Sequence, residues 1–346
     1  MKHQTTRYGE IPFYKIGTFD NTADAFISKK LFLEYKTKYS FPKKGDILIS
    51  ASGTIGKAVI YDGKPAYFQD SNIVWIDNDE TLVKNDFLFY AYSNVKWNTE
   101  HTTILRLYND NFRNTLIPLP PLNEQSAIAN ILSGLDRYLC ALDALILKKE
   151  SVKKALSFEL LSQRKRLKGF NQAWQRVRLG DIANYLTSNL SVEQITQQGE
   201  IKVYDVNNFI GYTDTTFISD KPYISIVKDG SVGRVRILPP KTNILSTMGA
   251  LIANHRTTTE FLFYLLSNFD FKNFTSGSII PHIYFKDYKE KTIFLPPLNE
   301  QSAIANILGT LDNEIASLKN KKRQFENIKK ALNHDLMSAK IRVLEK

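Results

Sequence analysis

Leu119-Pro120-Pro121-Leu122-Asn123-Glu124-Gln125-Ser126-Ala127-Ile128-Ala129-Asn130-Ile131-Leu132 occurs a second time, letter for letter, at residues 295–308. Fourteen identical residues at an offset of 176 cannot arise by chance, so the chain is two versions of one unit in tandem. Each copy reads as the start of a helix. The Pro-Pro pair holds the chain extended; Asn123 and Asn299 stand where an N-cap is wanted. Glu124 and Glu300 follow in the first turn, at the positive end of the helix dipole. Apolar residues then alternate by four and three at Ile128, Leu132, Leu135, Leu139, Leu142 and Ile146, the seam of a coiled coil. The second copy keeps it at Ile304, Leu308, Leu311, Ile315 and Leu318, and Val152, Leu156 and Leu160 answer to Ile328, Leu332 and Leu336. The first helix is expected over 124–168, a rod of roughly 68 Å, and the second from Glu300 to the C-terminus. A narrow stripe suits one partner helix. Antiparallel pairing of the two helices would put the preceding domains at opposite ends, related by an approximate two-fold axis.

The excess of 46 Lys and Arg over 35 Asp and Glu gives a net charge of +11 and suits a polyanionic partner, most often nucleic acid. One cysteine, Cys140, excludes an intramolecular disulfide and a thiolate metal cluster, and its place beside Leu139 reads as a small packed side chain. The N-terminus is polar and no apolar run approaches the ~18 residues of a membrane span, so a cytoplasmic location is expected.

The domains ahead of the helices share a plan. Residues 41–46 form a turn cluster leading into an apolar strand at 47–50. Gly53-Thr54-Ile55-Gly56-Lys57 then turns the chain into a strand at 58–61. A further strand is expected over 67–76 and a short aromatic-rich helix over 86–94. In the second domain Gly230-Ser231-Val232-Gly233-Arg234 matches the glycine turn, 260–268 match 86–94, and 278–284 match 102–108. Residues 174–182, which open the second domain, have no counterpart in the first, where Gly9-Glu10-Ile11 answers Gly199-Glu200-Ile201. The first domain carries instead an insertion near 31–41.

No catalytic or metal site emerges. Two residues, not four, separate Gly53 from Gly56 and Ala58 follows the lysine, so the turn is a tight strand connection and not a phosphate loop. His3, His101, His255, His282 and His334 show no metal-ligand spacing, and no amino-methyltransferase tetrapeptide or nuclease motif is present.

Two diverged mixed domains, each followed by Leu-Pro-Pro-Leu-Asn-Glu-Gln and a long helix, closely resemble the specificity subunit of type I restriction-modification systems. The likeness spans almost the whole chain. It rests on the helix starts at 118–125 and 296–301 and on the Ser-x-x-Gly-Thr-Ile-Gly-Lys turn at 50–57. The resemblance implies an α+β fold: two mixed α/β target recognition domains, each followed by a long helix, the helices pairing as an antiparallel coiled coil with pseudo-two-fold symmetry. The expected division is 1–119, recognition domain one with a shortened start; 120–168, spacer helix one; 169–295, recognition domain two; and 296–346, spacer helix two. It further implies a non-catalytic chain that recognises a bipartite, asymmetric site in double-stranded DNA. Such a chain docks two modification (methyltransferase) subunits and, through them, restriction subunits. S-adenosylmethionine then belongs to the modification subunits and ATP with Mg to the restriction subunits, with no cofactor in this chain. The alternative is a bivalent scaffold for RNA or protein outside restriction.

Base readout is expected from side chains able to make paired hydrogen bonds on the variable segments 102–111 and 278–287. The candidates are Arg106, Tyr108 and Asn109 in the first and His282, Tyr284 and Lys286 in the second. Lys57, Arg234 and Arg236, at or beside the glycine turns, are candidate phosphate contacts.

Overall fold

The computed structural model describes residues 4–68, 72–97 and 106–344. The chain divides into two units, residues 1–143 with 320–346 and residues 144–319.

In unit 1, β1 (Ile11–Tyr14) pairs antiparallel with β2 (Phe26–Ile27). The insertion foreseen near 31–41 is a helix, α1 (Lys29–Lys38), capped by the Ser28 hydroxyl, which accepts from the Leu31 amide. β3 (Ile47–Ser50), buried at every position and apolar but for Ser50, is the centre of a three-stranded antiparallel sheet with β4 (Ala58–Ile60). The strand expected over 67–76 is two: β5 (Tyr67–Phe68) runs parallel to β1, and β6 (Ile73–Ile76) lies on the other side of β3. The aromatic stretch is helical, as α2 (Asn85–Tyr92). Its Leu88 and Tyr92 pack on Ile47 and Ile49 of β3, while Phe87, Tyr90 and Ala91 pack on Ile128, Ala129 and Leu132. After α3 (Asn109–Arg113) comes α4 (Leu122–Leu161).

Unit 2 opens with β7 (Gln175–Arg178) and β8 (Ala183–Thr187). β9 (Ile201–Tyr204) and β10 (Phe209–Thr213) form a hairpin. β11 (Tyr223–Val227), β12 (Val235–Leu238), β13 (Asn243–Ile244) and β14 (Met248–Ala253) follow, then α5 (Thr259–Ser267). A small hairpin of β15 (Thr275–Ser276) and β16 (His282–Ile283), α6 (Phe285–Tyr288) and β17 (Thr292–Leu295) lead to α7 (Leu298–Met337). The sheet orders are β12-β11-β14-β8 and β10-β9-β13, with β17 paired to β7. Strands β1 to β6 thus correspond to β9 to β14, with the same pairings. Even the close approach recurs: a Cβ on Gly9 would lie 2.8 Å from that of Phe26, and one on Gly199 2.8 Å from that of Tyr212.

Within unit 1 the α4 and α7 segments run antiparallel. Asp136 pairs with Lys329, Asp143 with Lys322 at 2.7 Å and Glu124 with Arg342 at 2.7 Å, one number rising as the other falls. Within unit 2 the same order holds for Glu150 with Lys319, Lys153 with Asp312 and Glu300 with Arg166. Asp312, Lys153, Glu300 and Arg166 are the repeat equivalents of Asp136, Lys329, Glu124 and Arg342. Tyr90 donates to Asp136 at 2.7 Å, and Tyr264 to Asp312 at 2.8 Å. Burial and the adjoining carboxylate push both phenols above their ordinary range, so each stays a donor.

A buried glutamine fastens each domain to the helix after it. Gln301 accepts from the Thr258 amide and the Thr257 hydroxyl and donates to the carbonyls of Arg256 and Pro296. Gln125 accepts from the Lys84 amide and donates to the carbonyls of Leu82 and Pro120. The identical letters of the repeat therefore encode identical fastenings.

Several expectations change. The helices begin at Leu122 and Leu298, so Asn123 and Asn299 lie inside the first turn, not at the cap; Asn299 bonds the Glu300 amide. The first helix ends at Leu161, short of Lys168, because Gln163 turns to φ 62°. Ile128, Leu132, Leu142, Ile146, Leu160, Ile304, Leu308, Ile315 and Leu336 are buried, but Val152 and Ile328 are exposed. A seam of period 3.5 drifts off one face of a straight helix. Cys140 is exposed on α4 and is not packed. Among the described residues no helix is long and apolar enough to cross a membrane.

The Arg342 guanidinium beside Glu124 holds that carboxyl below its usual range. A lowered folded value contributes stability above the unfolded value near 4.3, which is lost as pH falls through the folded one. The urea midpoint of the wild type is expected to fall more steeply than that of Glu124→Gln as pH drops below about 4.5; parallel curves would contradict the pairing.

Candidate nucleic-acid interface

The glycine turns build the same small platform in both units. In unit 1 the Gly56 amide donates to the Ser50 carbonyl and the Ser50 amide to the Lys57 carbonyl, each at 2.9 Å. In unit 2 the Gly233 amide donates to Val227 and the Val227 amide to Arg234, again at 2.9 Å. Gly53, Gly56, Gly230 and Gly233 all have φ between 70° and 84°. An aromatic ring closes each platform: a Cβ on Gly56 would strike Trp97, and one on Gly233 would lie 2.6 Å from Phe271. These are strand connections, as the spacing predicted.

The variable segment crosses this platform in both units. The Leu107 amide donates to the Ala51 carbonyl at 2.8 Å and Arg106 bridges to Ser52. Correspondingly, the Ile283 amide donates to the Lys228 carbonyl at 2.9 Å and His282 bridges to Asp229. The backbone frame is shared while the residues bridged differ, Ser52 with Arg106 against Asp229 with His282.

In unit 1 the Arg106 guanidinium lies over the Tyr108 ring at 5.9 Å; Tyr108 and Asn109 are exposed at the start of α3. The expected segment 102–111 is seen from Arg106 onward, 102–105 lying outside the described residues, as do His3 and His101. In unit 2 the His282 and Tyr284 rings stack at 6.5 Å and the Lys286 ammonium lies 5.5 Å over Tyr284. Tyr108 and Tyr284 are repeat equivalents, so a cation over an exposed tyrosine recurs. His282 Nδ1 is 2.6 Å from an Asp229 carboxylate oxygen.

The remaining candidates are held by contacts within their own unit. Lys57 donates to the Phe19 carbonyl at 3.1 Å and pairs with Asp20 at 3.4 Å. Arg234 donates to the Asn207 side chain at 2.7 Å and Arg236 to the Asn207 carbonyl at 3.0 Å, with Arg236 also over Tyr204. Asn207, at the β9–β10 turn, thus gathers two arginines and escaped the sequence reading. Its signal was the Asp205-x-Asn207-Asn208 turn, where the Asp205 carboxylate accepts both asparagine amides. Also unforeseen is the apolar tip of the β15–β16 hairpin, where Ile279 and Ile280 are exposed. Among the described residues no cluster of His, Cys, Asp or Glu is arranged to hold a metal ion.

The Type I restriction modification DNA specificity domain model matches residues 1–150 and 171–327. The chain belongs to this family. A Haemophilus influenzae protein named as a type I restriction enzyme specificity subunit is 63% identical over 133 residues, 38% of this chain and 34% of the relative. The chain thus aligns with about a third of that relative's length. A Methanocaldococcus jannaschii protein, named as the MjaX specificity subunit, is 29% identical over 337 residues, 86% of this chain and 79% of the other. The fold is shared with the S subunit of a type I restriction-modification system from M. genitalium, at a TM-score of 0.65 and 20% identity over 97% of this chain and 91% of that one. The α+β architecture of two mixed specificity domains with long helices agrees with the sequence reading.

Proposed function

We propose that this specificity-family chain reads a bipartite, asymmetric site in double-stranded DNA. Each recognition domain takes one half, and the long helices act as a spacer that fixes the gap. The division of the chain into domains at 1–119 and 169–295 and spacers at 120–168 and 296–346 belongs to this reading. Unlike side chains on like frames favour an asymmetric target, whereas identical domains would read a palindrome. The observation that carries the reading is the recurrent platform, on which Ser52 and Arg106 in one unit are replaced by Asp229 and His282 in the other.

In this reading Arg106, Tyr108, Asn109, His282, Tyr284 and Lys286 face base edges, and Lys57, Arg234 and Arg236 face phosphates. The chain is non-catalytic. It docks two methyltransferase subunits that carry S-adenosylmethionine, and through them ATP- and Mg-dependent restriction subunits, in the cytoplasm. The chain assembled with its modification subunits is expected to bind duplex DNA with log Kd rising steeply with log salt, by about 0.9 per phosphate neutralised. A salt-insensitive complex, or a preference for RNA over duplex, would favour the scaffold reading instead.

A further inference from the structure

The glycine turn of unit 2 is bonded at each end to a hairpin. At its start the Gly230 amide donates to the Pro281 carbonyl at 2.9 Å, beside His282. At its end Arg234 donates to the Asn207 side chain at 2.7 Å, in the turn between β9 and β10. Arg236, two residues on and so directed to the same side of the strand, donates to the Asn207 carbonyl at 3.0 Å and lies 5.2 Å over the Tyr204 ring. The turn is itself fixed, since the Asp205 carboxylate accepts the Asn207 and Asn208 amides at 2.8 and 2.6 Å. Phe209 follows, exposed, with its ring edge-on to Tyr204 at 6.0 Å and to Tyr212 at 5.1 Å.

This cluster differs from an ordinary packed surface in its charge. Among the described residues neither guanidinium meets a carboxylate, and each spends one donor on Asn207, so both keep most of their N–H groups for a ligand. Two like charges gathered on one neutral residue repel, and an anion held by both relieves that repulsion. In unit 1 the equivalent positions are Lys57, which pairs with Asp20 at 3.4 Å, and Val59, so the arginine pair has no counterpart there.

We propose that the turn between β9 and β10 is a phosphodiester clamp: Arg234 and Arg236 grip one phosphate of duplex DNA, and Phe209 packs on the sugar beside it. Asn207 is the positioning residue that makes the two arginines converge. Guanidinium forks match phosphate oxygens in geometry as well as charge. The clamp rests on the DNA-reading function proposed above and adds an unequal division of backbone contact, because it belongs to the second recognition domain. It also stands at the opposite end of the glycine turn from His282. Gripping the backbone at one end sets the register in which His282 meets a base at the other.

The decisive variant is Asn207→Asp. Its carboxylate keeps the acceptors for both arginines, so the urea midpoint is expected to be unchanged or higher, but it fills the pair with an internal anion. The chain assembled with its modification subunits is titrated into fluorescein-labelled duplex DNA of random sequence over a range of salt. Asn207→Asp is expected to bind about tenfold more weakly than the wild type, with a salt slope lower by about one. A merely structural role for Asn207 predicts no change in either. Phe209→Ala is expected to weaken binding roughly fivefold with the slope unchanged, since no charge is lost. Steep wild-type salt dependence with equal affinity and slope in Asn207→Asp would overturn the clamp and leave the DNA reading standing. Absent or salt-insensitive binding by the wild type would overturn both. Should Asn207→Asp fail to fold, Arg236→Gln carries the same slope test, and an unchanged slope there overturns the clamp.

Discussion

Gln301→Leu is expected to destabilise unit 2 by about 3–5 kcal/mol. The side chain is fully buried, and leucine leaves the Thr258 amide, the Thr257 hydroxyl and the carbonyls of Arg256 and Pro296 without their partner. Each buried polar group so orphaned costs about 1–3 kcal/mol, reduced where a neighbour or water relieves it. Gln125→Leu strands three groups, the Lys84 amide and the carbonyls of Leu82 and Pro120, and is expected to cost slightly less. Chemical denaturation measures both. A loss under 1 kcal/mol for Gln301→Leu would show that the fastening is not what joins the domain to its helix.

The second large effect is on recognition. Replacing His282 by alanine is expected to weaken binding to the preferred site about 10- to 100-fold and to relax sequence preference in one half-site only, the 1–3 kcal/mol of a lost base contact. Asp229 fixes the ring: with Nδ1–H donated to its carboxylate, the neutral imidazole presents Nε2 as an acceptor. Such an acceptor matches the exocyclic amine of adenine or cytosine in the major groove. Asp229→Asn is therefore expected to shift preference without abolishing binding. Lys286→Ala, by contrast, removes a cation from over Tyr284. Should Lys286 meet a phosphate and not a base, its loss weakens all sequences alike and lowers the salt slope by about one. Competition binding against a panel of half-site variants separates these outcomes. Unchanged affinity and preference in His282→Ala would remove this residue from the interface.

Much of this was legible in the letters because a repeat fixes its own interpretation. The fourteen-residue identity located both helices, and the shared Gln and Glu lead directly to the fastenings and the arginine pairs. The glycine turns were readable because a positive φ demands glycine. What stayed hidden depends on contacts distant in sequence. The ammonium of Lys57 reaches the carbonyl of Phe19, 38 residues away, and Asn207 meets Arg234 and Arg236 only because the β9–β10 turn folds toward β12. The insertion gave no hint of helix α1, whose one buried apolar residue is Phe32. The exposure of Val152 and Ile328 shows the limit of a period read along a line: heptad spacing alone does not keep a residue facing its partner.

Both domains carry the platform, and in the proposed reading each reads its own half-site. The direct measurement is genome-wide mapping of methylated adenines in cells carrying the modification subunit, with this chain, without it, and with His282→Ala. The expected result is a bipartite, asymmetric motif that requires the chain and loses definition in a single half when His282 is replaced. A motif unaffected by the chain's absence, or one degraded equally in both halves by the substitution, would contradict it.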